Sequence, residues 1–177
     1  DRLRSRGLGD VYKRQTIMIA VLGASSVFAM PYNPNDYTSV DIVSKLLPPG
    51  VKQSKVSESS KTRGEFFMSA DLVIKNNGDG SVGALAIAFT RCPVDEAYIT
   101  IYLDRWDEEA QRWRQVNYHE AEFYSKDYPD GLTEPTVDVS FVNQPRGYYY
   151  RLRSVFSVMY KGEFEGFSPV TDGILLD

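Results

Sequence analysis

PRGYYYRLRSV, residues 145–155, decides the fold. After Pro145-Arg-Gly147 the chain alternates. Tyr148, Tyr150 and Leu152 fall on one face and Tyr149, Arg151 and Arg153 on the other. A period of two belongs to a β-strand with one face toward a core. Phe156 to Tyr160 extends the strand, Lys161-Gly-Glu163 reads as a turn, and Gly173 to Leu176 makes a last short strand.

The same period recurs upstream. Met68, Ala70, Leu72 and Ile74 alternate with Ser69, Asp71, Val73 and Lys75, and Asn76-Asn-Gly-Asp-Gly80 is a strong hairpin signal. Gly83, Leu85, Ile87 and Phe89 then alternate with three alanines and Thr90, up to Pro93, which cannot donate to a ladder. Ile99, Ile101 and Leu103 alternate with Tyr98, Thr100 and Tyr102, and a charged tip at Asp107 to Ala110 leads into Arg112 to Val116. Val137, Val139 and Phe141 complete a set of about seven strands with no helix after residue 62. The expected architecture is all-β, an antiparallel sandwich over residues 63–177, interrupted by one long connection from Asn117 to Glu134.

Residues 30–62 read as a polar linker, with one short helix allowed from Thr38 to Leu47 and Ser/Lys-rich sequence after Pro48. Further upstream, Thr16 to Ala29 carries no charge and ends Val27-Phe28-Ala29 before Met30. That pattern predicts the apolar part and cleavage site of a truncated signal peptide. Fourteen residues fall short of the roughly 20 a membrane helix needs, so no stable membrane span is expected in the mature chain. Residues 1–15, with Asp10-Val-Tyr-Lys-Arg-Gln15, resemble the translation of a sequencing-library adapter and are set aside as an artefact. The expected location is secreted or at the cell surface.

Residues 1–29 hold five of the 20 Lys/Arg and two of the 24 Asp/Glu, so residues 30–177 carry a net charge of −7. This balance argues against nucleic acid or an anionic membrane as partner, because both call for a basic face. The one cysteine, Cys92, can form no internal disulfide and is expected to pack as a small apolar residue.

Tyr98-Ile-Thr-Ile-Tyr-Leu103, its hairpin and Trp113 resemble the C–C′ hairpin of fibronectin type III and Ig-like sandwiches. Pro145 to Arg153 resembles their strand F, entered through a tyrosine corner at Tyr148 or Tyr150. Over residues 62–176 the chain is similar to a family of short exported proteins of unknown function from Gram-positive Firmicutes. The likeness is carried by Thr62-Arg63-Gly64, Leu103 with Trp113, Gly147-Tyr-Tyr-Tyr-Arg151 and Gly173-Ile174. It implies export and fold, and supplies no activity.

Catalytic patterns are weak. A Ser-His-Asp site would have to use His119, the one histidine, and no Gly-x-Ser-x-Gly elbow presents a serine. Cys92 with His119 lacks a supporting motif. Zinc would need more His and Cys than exist, and Asn76 to Asp79 and Asp127 to Gly131 read as turns rather than calcium loops. No phosphate loop or dinucleotide fingerprint occurs. The acidic groups Asp107 to Glu109, Glu120 and Glu122 suit solvated edges. No cofactor and no metal are expected, and the chain reads as a non-enzyme.

The aromatic load is the better lead, with 12 Tyr and two Trp. Parity places Tyr98, Tyr102, Tyr149, Arg151 and Arg153 on one outward face, with Trp106 at the hairpin shoulder and Trp113 in the core. Exposed Tyr beside Arg suits sugar stacking or a protein interface. The alternative is cross-strand pairing that merely stabilises the sheet. The expected function is an exported module that binds a glycan, a cell-wall polymer or a surface protein. An adhesion or assembly subunit is the alternative, and a small carboxylate-dependent hydrolase a remote third.

Overall fold

The computed structural model describes residues 31–59 and 65–177. The adapter-like run, the export segment and the Thr62-Arg63-Gly64 motif lie outside the described residues. Nine strands follow in order: β1 (Gln53–Ser59), β2 (Phe67–Asn76), β3 (Val82–Thr90), β4 (Glu96–Asp107), β5 (Arg112–Tyr124), β6 (Thr136–Phe141), β7 (Tyr148–Tyr160), β8 (Glu163–Phe167) and β9 (Ile174–Leu176). Two single-turn 3-10 helices, Pro34–Asp36 and Ser125–Asp127, are the helical content of the described residues.

The strands form two antiparallel sheets. One has the order β1-β2-β3-β6; the other runs β5-β4-β7-β8, with β9 beside the start of β7. The expected all-β sandwich is therefore observed. Its core lies between the sheets, from Leu72, Ile74 and the alanines of β3 on one side to Ile99, Ile101, Leu103, Leu152 and Phe156 on the other. The β2–β3 turn is held by its own side chains. The Gly78 amide donates to Asn76 Oδ1 at 2.9 Å and the Ser81 amide to Asp79 Oδ1 at 2.9 Å, while Gly78 and Gly80 supply φ near +84°.

Entry to β7 follows the expected corner. The Tyr150 hydroxyl donates to the Pro145 carbonyl at 2.8 Å, and its ring is fully buried. Tyr148, expected inward, is instead half-exposed beneath the Arg105 guanidinium, 4.8 Å from the ring centre.

Three expectations about connections are corrected. Part of the predicted linker is strand β1, paired along its length with β2 from Gln53–Lys75 to Ser59–Ser69. Val56 is its one large apolar residue, so periodicity carries almost no signal; the open edge of β2 supplies the partner. The first part of the 117–134 connection is strand, because β5 runs on to Tyr124 opposite Glu96, and the irregular remainder begins with the 3-10 turn Ser125–Asp127. Strand β8, which the sequence reading marks only by the turn at Lys161-Gly-Glu163, pairs with the second half of β7.

The allowed helix at 38–47 does not form. The segment runs as turns and extended chain over the outer face of the β5-β4-β7-β8 sheet. Ser39 Oγ accepts from the Asp41 amide at 3.1 Å, and the Val40 and Ile42 carbonyls accept from Arg151. Carbonyls that a helix would pair internally are used by the sheet beneath. This strap, residues 31–47, is why β4 and β7 are buried on both faces.

Candidate functional site

The predicted platform exists as a shared face, but not as an exposed one. Tyr98, Tyr102, Asp104, Arg151 and Arg153 all lie on the outer side of the β4–β7 pair, as parity required. All five are buried, with Arg151 at 0% and Arg153 at 2% exposure. The strap covers them. The expectation of solvent-facing Tyr98, Tyr102, Arg151 and Arg153 is thereby corrected; a covering segment outside the sheet is invisible to strand parity.

Under the strap, one carboxylate holds two guanidinium groups. Asp104 Oδ2 accepts from Arg151 Nε at 3.0 Å and Arg153 Nε at 2.6 Å, and Oδ1 accepts from Arg153 Nη2 at 3.0 Å. The remaining donors of Arg151 go to the strap: the Val40 and Ile42 carbonyls and the Ser44 hydroxyl. Arg153 reaches Gln115 Oε1 at 3.0 Å and, more weakly, Thr38 Oγ1 at 3.4 Å. Each guanidinium also caps a ring: Arg151 lies 4.5 Å from the Trp113 centre and Arg153 lies 4.8 Å from the Tyr102 centre. Burial pulls Arg151 below its ordinary value, and Asp104 partly restores it. The cluster carries one net positive charge, solvated by backbone oxygens rather than water.

The strap is fixed at both ends. Near its start Tyr32 accepts from the Ser157 hydroxyl at 2.6 Å and contacts Tyr37, Tyr98 and Phe164 edge-on. Burial raises the Tyr32 hydroxyl to about 12. At its far end the Leu47 amide donates to the Gly173 carbonyl at 2.9 Å, and the Lys45 amide to Asp172 at 2.9 Å. Gly173 lies so close to Trp113 that an added Cβ would sit 2.6 Å from the ring.

Trp106 is the predicted site residue that meets solvent in a concave place. It is half-buried, edge-on to Trp113 with centroids 5.3 Å apart. A cleft of about 260 Å3 opens between it, Arg112, Gln111 and strap residues 40–44. On its strap wall Val43 is 92% exposed, with Ile42 and, just beyond, Leu46 also uncovered. Tyr149 lies half-buried on the same face beyond Arg151, paired with Leu175 of β9. The sequence reading missed the strap residues Val40 to Ser44. Their cue was weak: apolar side chains in a segment otherwise rich in turn formers.

The candidate catalytic groups are dispersed. His119 sits mid-β5 opposite Ile101, while Cys92 lies in the β3–β4 connection, half-buried against the core. Asp107 caps its own hairpin: its carboxylate accepts the Ala110 amide at 2.9 Å and pairs with Arg114, and both hold it below the usual carboxylate range. Glu122 accepts from the Tyr124 hydroxyl at 2.5 Å. Among the described residues no helix is long and apolar enough to cross a membrane. Compared with models of known protein families and with curated proteins, the chain matches none.

Proposed function

We propose that this is an exported, non-enzymatic β-sandwich module that binds a surface polymer, a glycan or cell-wall chain, through the Trp106 cleft. The observation that carries it is that cleft: a half-exposed indole beside uncovered Ile42 and Val43, with Gln111, Arg112, Asp41 and Ser44 around it. A flat aromatic wall with a few polar groups is the composition that stacks and orients a sugar ring. At about 260 Å3 the cleft lies at or below the lower end of the usual range for small-molecule sites, roughly 300–1,000 Å3. It suits one unit of a longer chain better than an enclosed metabolite. The dispersal of His119, Cys92 and the carboxylates supports a binding rather than a catalytic role.

The strand order supports the likeness to Ig and fibronectin type III domains. Strands β5-β4-β7-β8 correspond to C′-C-F-G, with the Tyr150 corner at the entry to F. Export rests on the Thr16–Ala29 pattern. The test is co-sedimentation with isolated Gram-positive cell walls and insoluble polysaccharides. Trp106→Ala should abolish binding, with the fold intact by circular dichroism. Pelleting equal to wild type in the Trp106 variant, or no pelleting of wild type with any polymer, would refute the assignment.

A further inference from the structure

The β1-β2-β3-β6 sheet carries an inverted central strand. In β3 the alanines 84, 86 and 88 face the core, whereas Leu85, Ile87 and Phe89 face out. With Val73 of β2 they form an apolar stripe on the outer side, half-buried and outside the core cluster. Soluble sheets normally place the smaller or more polar residues outside, so a continuous stripe of this kind marks a contact surface. It lies on the sheet opposite the Trp106 cleft.

The charges around the stripe say what covers it. Strand register sets Lys55, Val73, Leu85 and Asp138 in one row across the four strands. The next row is Gln53, Lys75, Gly83 and Ser140. A trough of about 410 Å3 lies between them, lined by Asn77, Asp138 and Ser140 among others, with the Asn77 carboxamide resting over Gly83. Lys75 and Asp138 make no ion pair among the described residues, while Lys55 bonds Asp71 at 2.6 Å and keeps two donors. A two-fold axis along the strands, between β2 and β3, lays each row on itself reversed. Lys55 then meets Asp138 of the other copy, Val73 meets Leu85, and Lys75 faces the Asn77 carboxamide that covers Gly83.

We propose that this face is a homodimer interface, in which two copies of the chain pack sheet on sheet with that register. The Lys55 row is self-complementary in charge, which a face made only for solvent has no reason to be. The neighbouring row, Ser57, Asp71, Ile87 and Thr136, sets Asp71, already paired with Lys55, over Ile87 of the other copy and weakens the contact. Four strands span only about 19 Å, so the contact is smaller than standard interfaces and the dimer is weak, half-dissociated at roughly 1–100 µM.

Sedimentation velocity of the full chain over roughly 1–500 µM covers that range. Wild type should shift from monomer to dimer, and Leu85→Asp should stay monomeric with an unchanged circular dichroism spectrum. Lys55→Glu or Asp138→Lys alone should weaken association about three- to thirtyfold, since each pair occurs twice. The double exchange, Lys55→Glu with Asp138→Lys, should restore it. Should Leu85→Asp fail to fold, the charge exchange alone decides. A wild-type monomer throughout, a dimer that survives Leu85→Asp, or singles that the double does not rescue would each overturn the proposal.

Discussion

Replacing Asp104 by Asn tests the physics of the strap directly. Asn keeps the shape but removes the carboxylate that bonds both Arg151 and Arg153, leaving only the more distant Asp41 acting on Arg151, so the buried cluster goes from one net positive charge to two. Asp104 is wholly buried and accepts three hydrogen bonds from the pair, and an amide nitrogen would point a donor at donors. Leaving buried charge uncompensated in this way costs about 3–5 kcal/mol. Domains of this size hold only about 5–15 kcal/mol in total, so the melting temperature should fall by roughly 6–20 °C. Arg153→Met provides the sign check. It also breaks bonds to Asp104, Gln115 and Thr38, yet leaves Asp104 and Arg151 as a neutral pair. It should therefore cost less than Asp104→Asn, which a packing-only view would not predict. The assay is urea unfolding of both variants, with hydrogen exchange at the Lys45 and Leu47 amides to report strap release. If Asp104→Asn lies within about 1 kcal/mol of wild type, or Arg153→Met is the worse of the two, the electrostatic account is wrong.

Gly173→Ala should destabilise by about 1–3 kcal/mol and loosen the Leu46–Leu47 end of the strap, because its Cβ would sit 2.6 Å from Trp113 and 3.3 Å from Leu46; a shift in Trp fluorescence together with urea unfolding reads both. The strap should also be sensitive to alkali. Burial raises Tyr32 from 10 to about 12, so the folded state keeps a proton the unfolded chain has lost; that contribution is complete below pH 10 and disappears as pH climbs through 12. Trypsin cleavage after Lys45 in samples pulsed at high pH should increase over that window, and Tyr32→Phe, which cannot ionise, should flatten the rise.

Strand period, turn chemistry and the corner tyrosine were enough to specify a two-layer antiparallel fold. Seven strands carried alternating apolar residues, and Asn76 to Gly80 and Pro145 to Gly147 punctuated them. Strands β1 and β8 were illegible for a physical reason: each carries few large side chains toward the core and owes its conformation to a neighbour's unpaired edge. Parity also placed Tyr98, Tyr102, Tyr149, Arg151 and Arg153 on one face, and that grouping is local geometry.

What covers that face is not local. The strap's hydrogen bonds to β7 span 107 to 125 residues of sequence, and its apolar residues Val40, Val43, Leu46 and Leu47 follow a helical spacing that says nothing of a sheet beneath. Only the tertiary structure sets the Val40 and Ile42 carbonyls over Arg151, turning an expected aromatic-basic platform into a buried clamp. The same holds for the inverted β3. The alternation of Leu85, Ile87 and Phe89 with alanines was plain, but period two cannot say which side faces in. The second sheet decides that, because it packs on the alanine side of β3, where Leu72 and Ile74 of the neighbouring β2 already supply the bulk.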